Sequence, residues 1–195
     1  IDKALKRLEK LSRSDKKMGA DFELVKKLKI FCDEGNSARN FSCNESESNF
    51  IKSMFLLTAK PIMYLANINE GELMTSSPGK FSELLIAKFD EDETEVIRLC
   101  GKVEQEISTL DSSEQLEYLS EYNLKEPGLN ILIRKTFDLL NLETYFTGGI
   151  SEVRAWTIKK GSSAPKAASE IHTDFEKGFI KAEIIKYDDL ERIGS

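Results

Sequence analysis

Ile1, Leu5, Leu8 and Leu11 recur at helical spacing while Lys, Arg, Asp and Glu fill the positions between them, which predicts a narrow amphipathic helix at the start of the chain. A polar break around 12–19 is followed by a second stripe, Phe22, Val25, Leu28 and Phe31/Cys32, that runs to Glu34-Gly35, where glycine offers a helix stop. Two helices with a short connection predict an antiparallel hairpin. Asn44 to about Leu57 has a cap residue and apolar spacing suited to a helix lying on a sheet. Pro61 then opens an apolar run to Ala66 of strand length, the pattern of a buried parallel strand. A helical segment at 80–89 separates it from Val96-Ile97-Arg98-Leu99, a second short strand. Strand, helix, strand predicts a piece of an α/β sheet. Glu114–Tyr122 and Pro127–Leu140 read as helices, the second with proline at its first turn. Thr147-Gly148-Gly149 signals a turn and a domain boundary. After it, 152–158 and 179–187 have strand character around a short helical piece at 172–177, a small mixed β unit.

Composition narrows the classes. The 195 residues are 40% hydrophobic and 32% charged, enough for one or two packed domains of ordinary surface polarity. A net charge of −6 argues against a protein that coats nucleic acid, so any RNA contact is local and there is no basis for DNA specificity. Three cysteines without C-x-x-C spacing and a single histidine give neither a disulfide framework nor a zinc site, which fits a reducing cytoplasm. No apolar run approaches the ~20 residues that cross a bilayer, and no basic-then-apolar leader opens the chain, so neither a membrane-embedded nor a secreted protein is expected. The opening residue is Ile1, within a helical pattern, which suggests a fragment of a longer protein.

Asn67-Ile68-Asn69-Glu70 sits just past the first strand, where open α/β sheets place ligands. As a pattern alone Asn-x-x-Glu is weak: on the order of one chance match is expected in a chain this long. Leu99-Cys100-Gly101-Lys102 follows the second strand, and small residues such as Cys100 and Gly101 allow backbone N–H groups to approach a ligand closely. Both segments are equally readable as polar caps and ordinary turns. His172, beside Thr173 and Asp174, has no nucleophile elbow near it and reads as a loop-ordering residue, so no catalytic residue is assigned. Arg154, Lys159, Lys160, Lys166, Lys177 and Lys181 offer a modest basic surface for RNA phosphates or simply solvated charge, and Trp156 reads as packing. No G-x-x-x-x-G-K-[ST] phosphate loop occurs in these residues.

Taken together, Leu56-Leu57-Thr58-Ala59-Lys60-Pro61, the Asn67–Glu70 motif, Glu126-Pro127-Gly128-Leu129, Tyr145-Phe146-Thr147, Arg154-Ala155-Trp156-Thr157-Ile158 and the run from Ile171 to Ile180 resemble, in that order, the YchF-type Obg-like ATPases with their TGS module. The resemblance implies an α/β chain in three parts: a helical hairpin or coiled-coil arm at 1–43, the C-terminal part of a P-loop NTPase domain at 44–145, and a truncated β-grasp TGS domain at 146–195. It implies a parent that hydrolyses ATP, or also GTP, with Mg²⁺ held by upstream motifs, while the fragment itself is inactive. It further implies that Asn67 meets a purine ring nitrogen, that backbone near Ile68 meets the adenine amino group, and that Glu70, Cys100 and Gly101 complete the base site. In the guanine-reading form of the motif, Asn-Lys-x-Asp, the carboxylate accepts from two guanine donors that adenine lacks; Ile68 and Glu70 in place of Lys and Asp are expected to weaken that choice. A ribosomal partner reached through hairpin and TGS regions is implied as well. Two other readings stay open: a non-enzymatic RNA- or protein-binding module, and a GTPase with a relaxed base motif.

Overall fold

A computed structural model describes residues 1–12, 16–75, 77–89, 96–149 and 152–193. The chain divides at Tyr64/Leu65 into two compact units. The first is helical. In α1 (Asp2–Leu11) Leu8 is buried while Leu11 is exposed, and α2 (Lys16–Asp33) buries Leu24, Val25 and Leu28. The two helices pack together, and the Lys29 ammonium ties them by reaching Asp33 on its own helix at 2.8 Å and Asp2 on the other at 3.4 Å. Part of the predicted polar break, residues 13–15, lies outside the described residues, and Gly19 belongs to α2 rather than to the break. Gly35 ends α2 at φ +90°, a conformation that glycine adopts without steric cost.

Asn44 caps α3 (Glu45–Ser53) with a reciprocal box, its side chain accepting from the Glu47 N–H and Glu47 accepting from the Asn44 N–H. The sequence pattern places this helix on a sheet. Instead Ile51 closes a core with Leu24, Leu28 and Ala38, rimmed by Phe41, Phe50 and Met54. Amphipathic spacing specifies a buried face but not its partner, and here the partner is α2.

The second unit contains two small sheets. Strand β1 (Tyr64–Asn67) pairs with β2 (Val96–Leu99), with α4 (Glu70–Leu73) and α5 (Lys80–Phe89) between them in the chain. The fully buried strand expected from the apolar run is not what forms: β1 alternates, with Ala66 against the core and Leu65 and Asn67 exposed. Among the described residues its sheet has only two strands, so one face lacks cover. Beneath the other face Ile68, Cys100, Val103, Ile107 and Leu119 form the core with α6 (Gly101–Ile107) and α7 (Ser112–Glu121). Asp111 caps α7 by accepting from the N–H groups of Ser113 and Glu114, which starts the helix ahead of the predicted Glu114. Then α8 (Gly128–Leu139) is held at its first turn by Glu104, whose two oxygens accept from the Gly128 and Leu129 N–H groups at 2.7 and 3.0 Å.

Asn141, at φ 52°, reverses the chain into β3 (Leu142–Gly148), a strand absent from the sequence-based expectation. It pairs antiparallel with β4 (Val153–Lys159) from Leu142↔Lys159 to Gly148↔Val153, so the expected turn at 147–149 lies at the end of a hairpin. One hairpin face carries Tyr145, Trp156 and Ile158; the Tyr145 hydroxyl donates to the Ala167 carbonyl in α9 (Ala164–Ile171) at 2.9 Å. The other face leaves Phe146 and Val153 exposed. Next comes α10 (Thr173–Lys177), matching the expected helical piece. The strand expected at 179–187 does not form: 179–186 is irregular and Ile180 is 92% exposed, before α11 (Tyr187–Ile193). Strand propensity needs a ladder partner to be realised, and among the described residues none pairs with this segment.

Candidate nucleotide-base site

The period-2 alternation of β1 decides which side chains its C-terminal end can offer. Asn67 points to the exposed face, and the next residue, Ile68, turns into the core at 8% exposure. The Ile68 N–H continues the pairing by donating to the Leu99 carbonyl at 2.9 Å. The Ile68 side chain, packed with Val103, Ile107 and Leu119, does not present an apolar surface to a ligand.

The two loops expected to act together are joined. The Asn67 side-chain oxygen accepts from the Gly101 N–H at 3.0 Å. A Cβ at Gly101 would stand 3.3 Å from that oxygen, a contact tight enough that the Asn67 side chain would have to give by a few tenths of an ångström. Cys100 is 3% exposed and faces the core, leaving its backbone as its contribution to the site. Glu70, the fourth residue of the motif, is bound by Lys102 from the opposite loop at 2.5 Å. Lys102 also stands 3.8 Å from Glu106, and its ammonium is held above the usual lysine value, chiefly by the Glu70 hydrogen bond and then by the charges of Glu70 and Glu106. Asn67, Glu70, Gly101 and Lys102 thus form one cluster of polar groups at the ends of β1 and β2.

A second set of contacts fixes the segment that carries Glu70. Asn69 caps α4 by accepting from the Glu72 N–H at 2.8 Å. The Glu72 carboxylate accepts from the Gly79 N–H at 2.9 Å and from the Ser82 hydroxyl. Arg98 of β2 stands 3.6 Å from that carboxylate and donates to the Glu72 carbonyl at 3.2 Å. These partners, Ser82 first, then Gly79, then Arg98, hold the Glu72 carboxyl below its usual range. Sequence reasoning assigned no role to Lys102, Glu72 or Arg98. One signal was available: a lone arginine inside the apolar strand Val96-Ile97-Arg98-Leu99 requires a partner.

Elsewhere the expectations divide. His172 accepts from the Asp174 N–H through Nδ1 at 3.2 Å and caps α10, the loop-ordering role. Trp156 donates from its indole to Thr147 at 2.9 Å and carries the Arg154 guanidinium 4.2 Å above its ring, so Arg154 is tied to its own strand. Lys159 donates to the Leu140 carbonyl at 3.0 Å, and Lys166 stands 3.6 Å from Glu176. Among the described residues no group of three or more His, Cys, Asp or Glu is placed to hold a metal ion, and no helix is long and apolar enough to cross a membrane.

A mixed α/β chain whose paired post-strand loops are bridged by an asparagine and a lysine–glutamate pair is the class of protein these features define. Residues 142–195 match the family model YchF-GTPase_C, described as a protein of unknown function (DUF933). Across 192 residues, 97% of its length, the chain is 42% identical to the ribosome-binding ATPase YchF of Bacillus subtilis, covering 52% of that protein. It is 37% identical to the Obg-like ATPase 1 of Rattus norvegicus over its whole length, covering 50% of that relative. The solved YchF GTPase of Schizosaccharomyces pombe superposes with a TM-score of 0.85 at 31% identity, over 98% of this chain and 52% of that one. The chain belongs to the YchF-type Obg-like ATPase family, and it spans about half the length of the curated relatives it matches.

Proposed function

We propose that this chain is the purine-holding and partner-facing part of a P-loop ATPase that binds and hydrolyses ATP, accepts GTP less well, and works on the ribosome in the cytoplasm. The observation that carries the reading is the Asn67–Gly101 hydrogen bond, which draws the two post-strand loops into one rigid edge. Beside that edge stands the Glu70–Lys102 pair, polar groups of the kind that distinguish one purine edge from another. The relatives named as ribosome-binding ATPases support both the nucleotide and the ribosomal parts of the reading. In it, residues 1–43 are the projecting arm, residues 44–145 belong to the nucleotide domain, and residues 146–195 belong to the TGS module. Phosphate cradling and Mg²⁺ binding fall to residues outside this chain, since no phosphate loop or acidic metal group is found in it among the described residues. The fragment by itself is then inactive.

A second reading, a GTPase with a relaxed base motif, draws support from the solved relative titled a GTPase. Calorimetric titration of the full-length protein with ATP and with GTP, in Mg²⁺, separates the two. Tighter ATP binding supports the first reading. Tighter GTP binding replaces it with the second, and binding of neither leaves a non-enzymatic interaction module.

A further inference from the structure

We propose that Lys102 is the residue that sets purine specificity, by capping Glu70 and turning the base-facing edge of the site from hydrogen-bond acceptor to donor. The proposal rests on the base-site reading above and adds a residue and a mechanism to it.

A free carboxylate at Glu70 would accept from guanine, which presents two donors, N1–H and the exocyclic amine, on its pairing edge. Adenine presents an acceptor, N1, at the position where guanine has a donor. The carboxylate is not free: Lys102 reaches it at 2.5 Å from the facing loop. An ammonium has three donors and no acceptor. One N–H is taken by Glu70, and Glu106 stands 3.8 Å away, beyond hydrogen-bond distance. An N–H therefore remains for a base, and it suits adenine N1 while opposing the guanine N1–H. Lys102 is 66% exposed at its side chain, so it is open to a ligand. Its neighbour Gly101 is anchored to Asn67, which fixes where the lysine stem leaves the backbone.

The position of the cation follows from burial. In an Asn-Lys-x-Asp motif the lysine occupies the place of Ile68, but here that side chain is sealed in the core. The positive charge is supplied instead from the second loop, where it meets the carboxylate head-on.

The test uses the full-length protein and calorimetric titration with ATP and GTP in Mg²⁺, comparing parent, Lys102→Met, Lys102→Arg, and Lys102→Met combined with Glu70→Gln. Lys102→Met is expected to raise GTP affinity roughly ten- to hundredfold relative to ATP, the discrimination of one good bidentate base contact. Lys102→Arg keeps the donor and is expected to keep the parental ratio, and adding Glu70→Gln to Lys102→Met is expected to remove the gain for GTP. An unchanged ATP-to-GTP ratio in Lys102→Met overturns the proposal. Asn67→Ala distinguishes the two levels of failure. If it weakens both nucleotides while Lys102→Met shifts nothing, only the lysine mechanism falls; if it too has no effect, the base-site reading falls with it.

Discussion

Replacing Ile68 with lysine, which would restore one of the two positions at which the motif departs from its guanine-reading form, is expected to loosen the core rather than to retune base choice. Ile68 is 8% exposed and packs with Cys100, Val103, Ile107 and Leu119. Taking an isoleucine out of such a site forfeits about 1.5–3 kcal/mol of apolar burial. The lysine stem recovers part of this along the same surface, but its ammonium must strain outward or stay unpaired, which costs a further ~1–3 kcal/mol. The balance is a local destabilisation of about 3 kcal/mol. Hydrogen exchange at the amides of α6 reads the opening of this core directly, and the loss corresponds to roughly a hundredfold faster exchange. Ile68→Met, which conserves volume, is expected to cost less than about 1.5 kcal/mol and serves as the control. If Ile68→Lys leaves those amides exchanging at the parental rate, the side chain at position 68 faces solvent or ligand, and the division of labour between Ile68 and Lys102 is wrong.

Gly128→Ala places a Cβ 2.8 Å from a Glu104 oxygen and 3.1 Å from the Leu99 Cβ, so the clamp at the start of α8 must shift; thermal unfolding is expected to show a loss of about 1–3 kcal/mol. Gly101→Ala presses on the Asn67 oxygen at 3.3 Å and is expected to weaken ATP binding roughly two- to tenfold by calorimetry, the worth of one hydrogen bond. Glu72 has a folded-state pKa below its ordinary 4.5, so its stabilising contribution is fully present above that value and is lost as pH falls through the lower folded one. Glu72→Gln is therefore expected to have a melting temperature below the parent's at about pH 6, with the gap narrowing as pH falls below 4.5.

How much of this was legible in the sequence depends on how local the cause is. The helices followed from spacing and caps: Asn44 sits at the N-cap of α3 and Lys80–Phe89 agrees with the predicted segment, whereas the cap at Asp111 starts α7 ahead of the predicted Glu114. What spacing does not carry is the partner of a face. The same apolar stripe that placed α3 on a sheet packs on α2, and the apolar run before Asn67 forms a half-exposed strand. Strand β3 escaped notice because only Leu140 and Asn141 separate it from α8, and the left-handed turn at Asn141 has no glycine to announce it. In the site, the joint role of the two loops was anticipated from the family resemblance and not from spacing. The Lys102–Glu70 pair, whose partners are 32 positions apart, and the Glu72–Arg98 contact arise only when β1 and β2 come side by side.

The central claim is that the loops around Asn67 and Gly101 hold the base. A crystal structure of the full-length protein with Mg²⁺ and a non-hydrolysable ATP analogue tests it most directly. The account predicts the adenine ring against these two loops, its edge within hydrogen-bond distance of the Asn67 side chain and the Ile68 carbonyl. An adenine ring bound elsewhere, with both loops untouched, would contradict it.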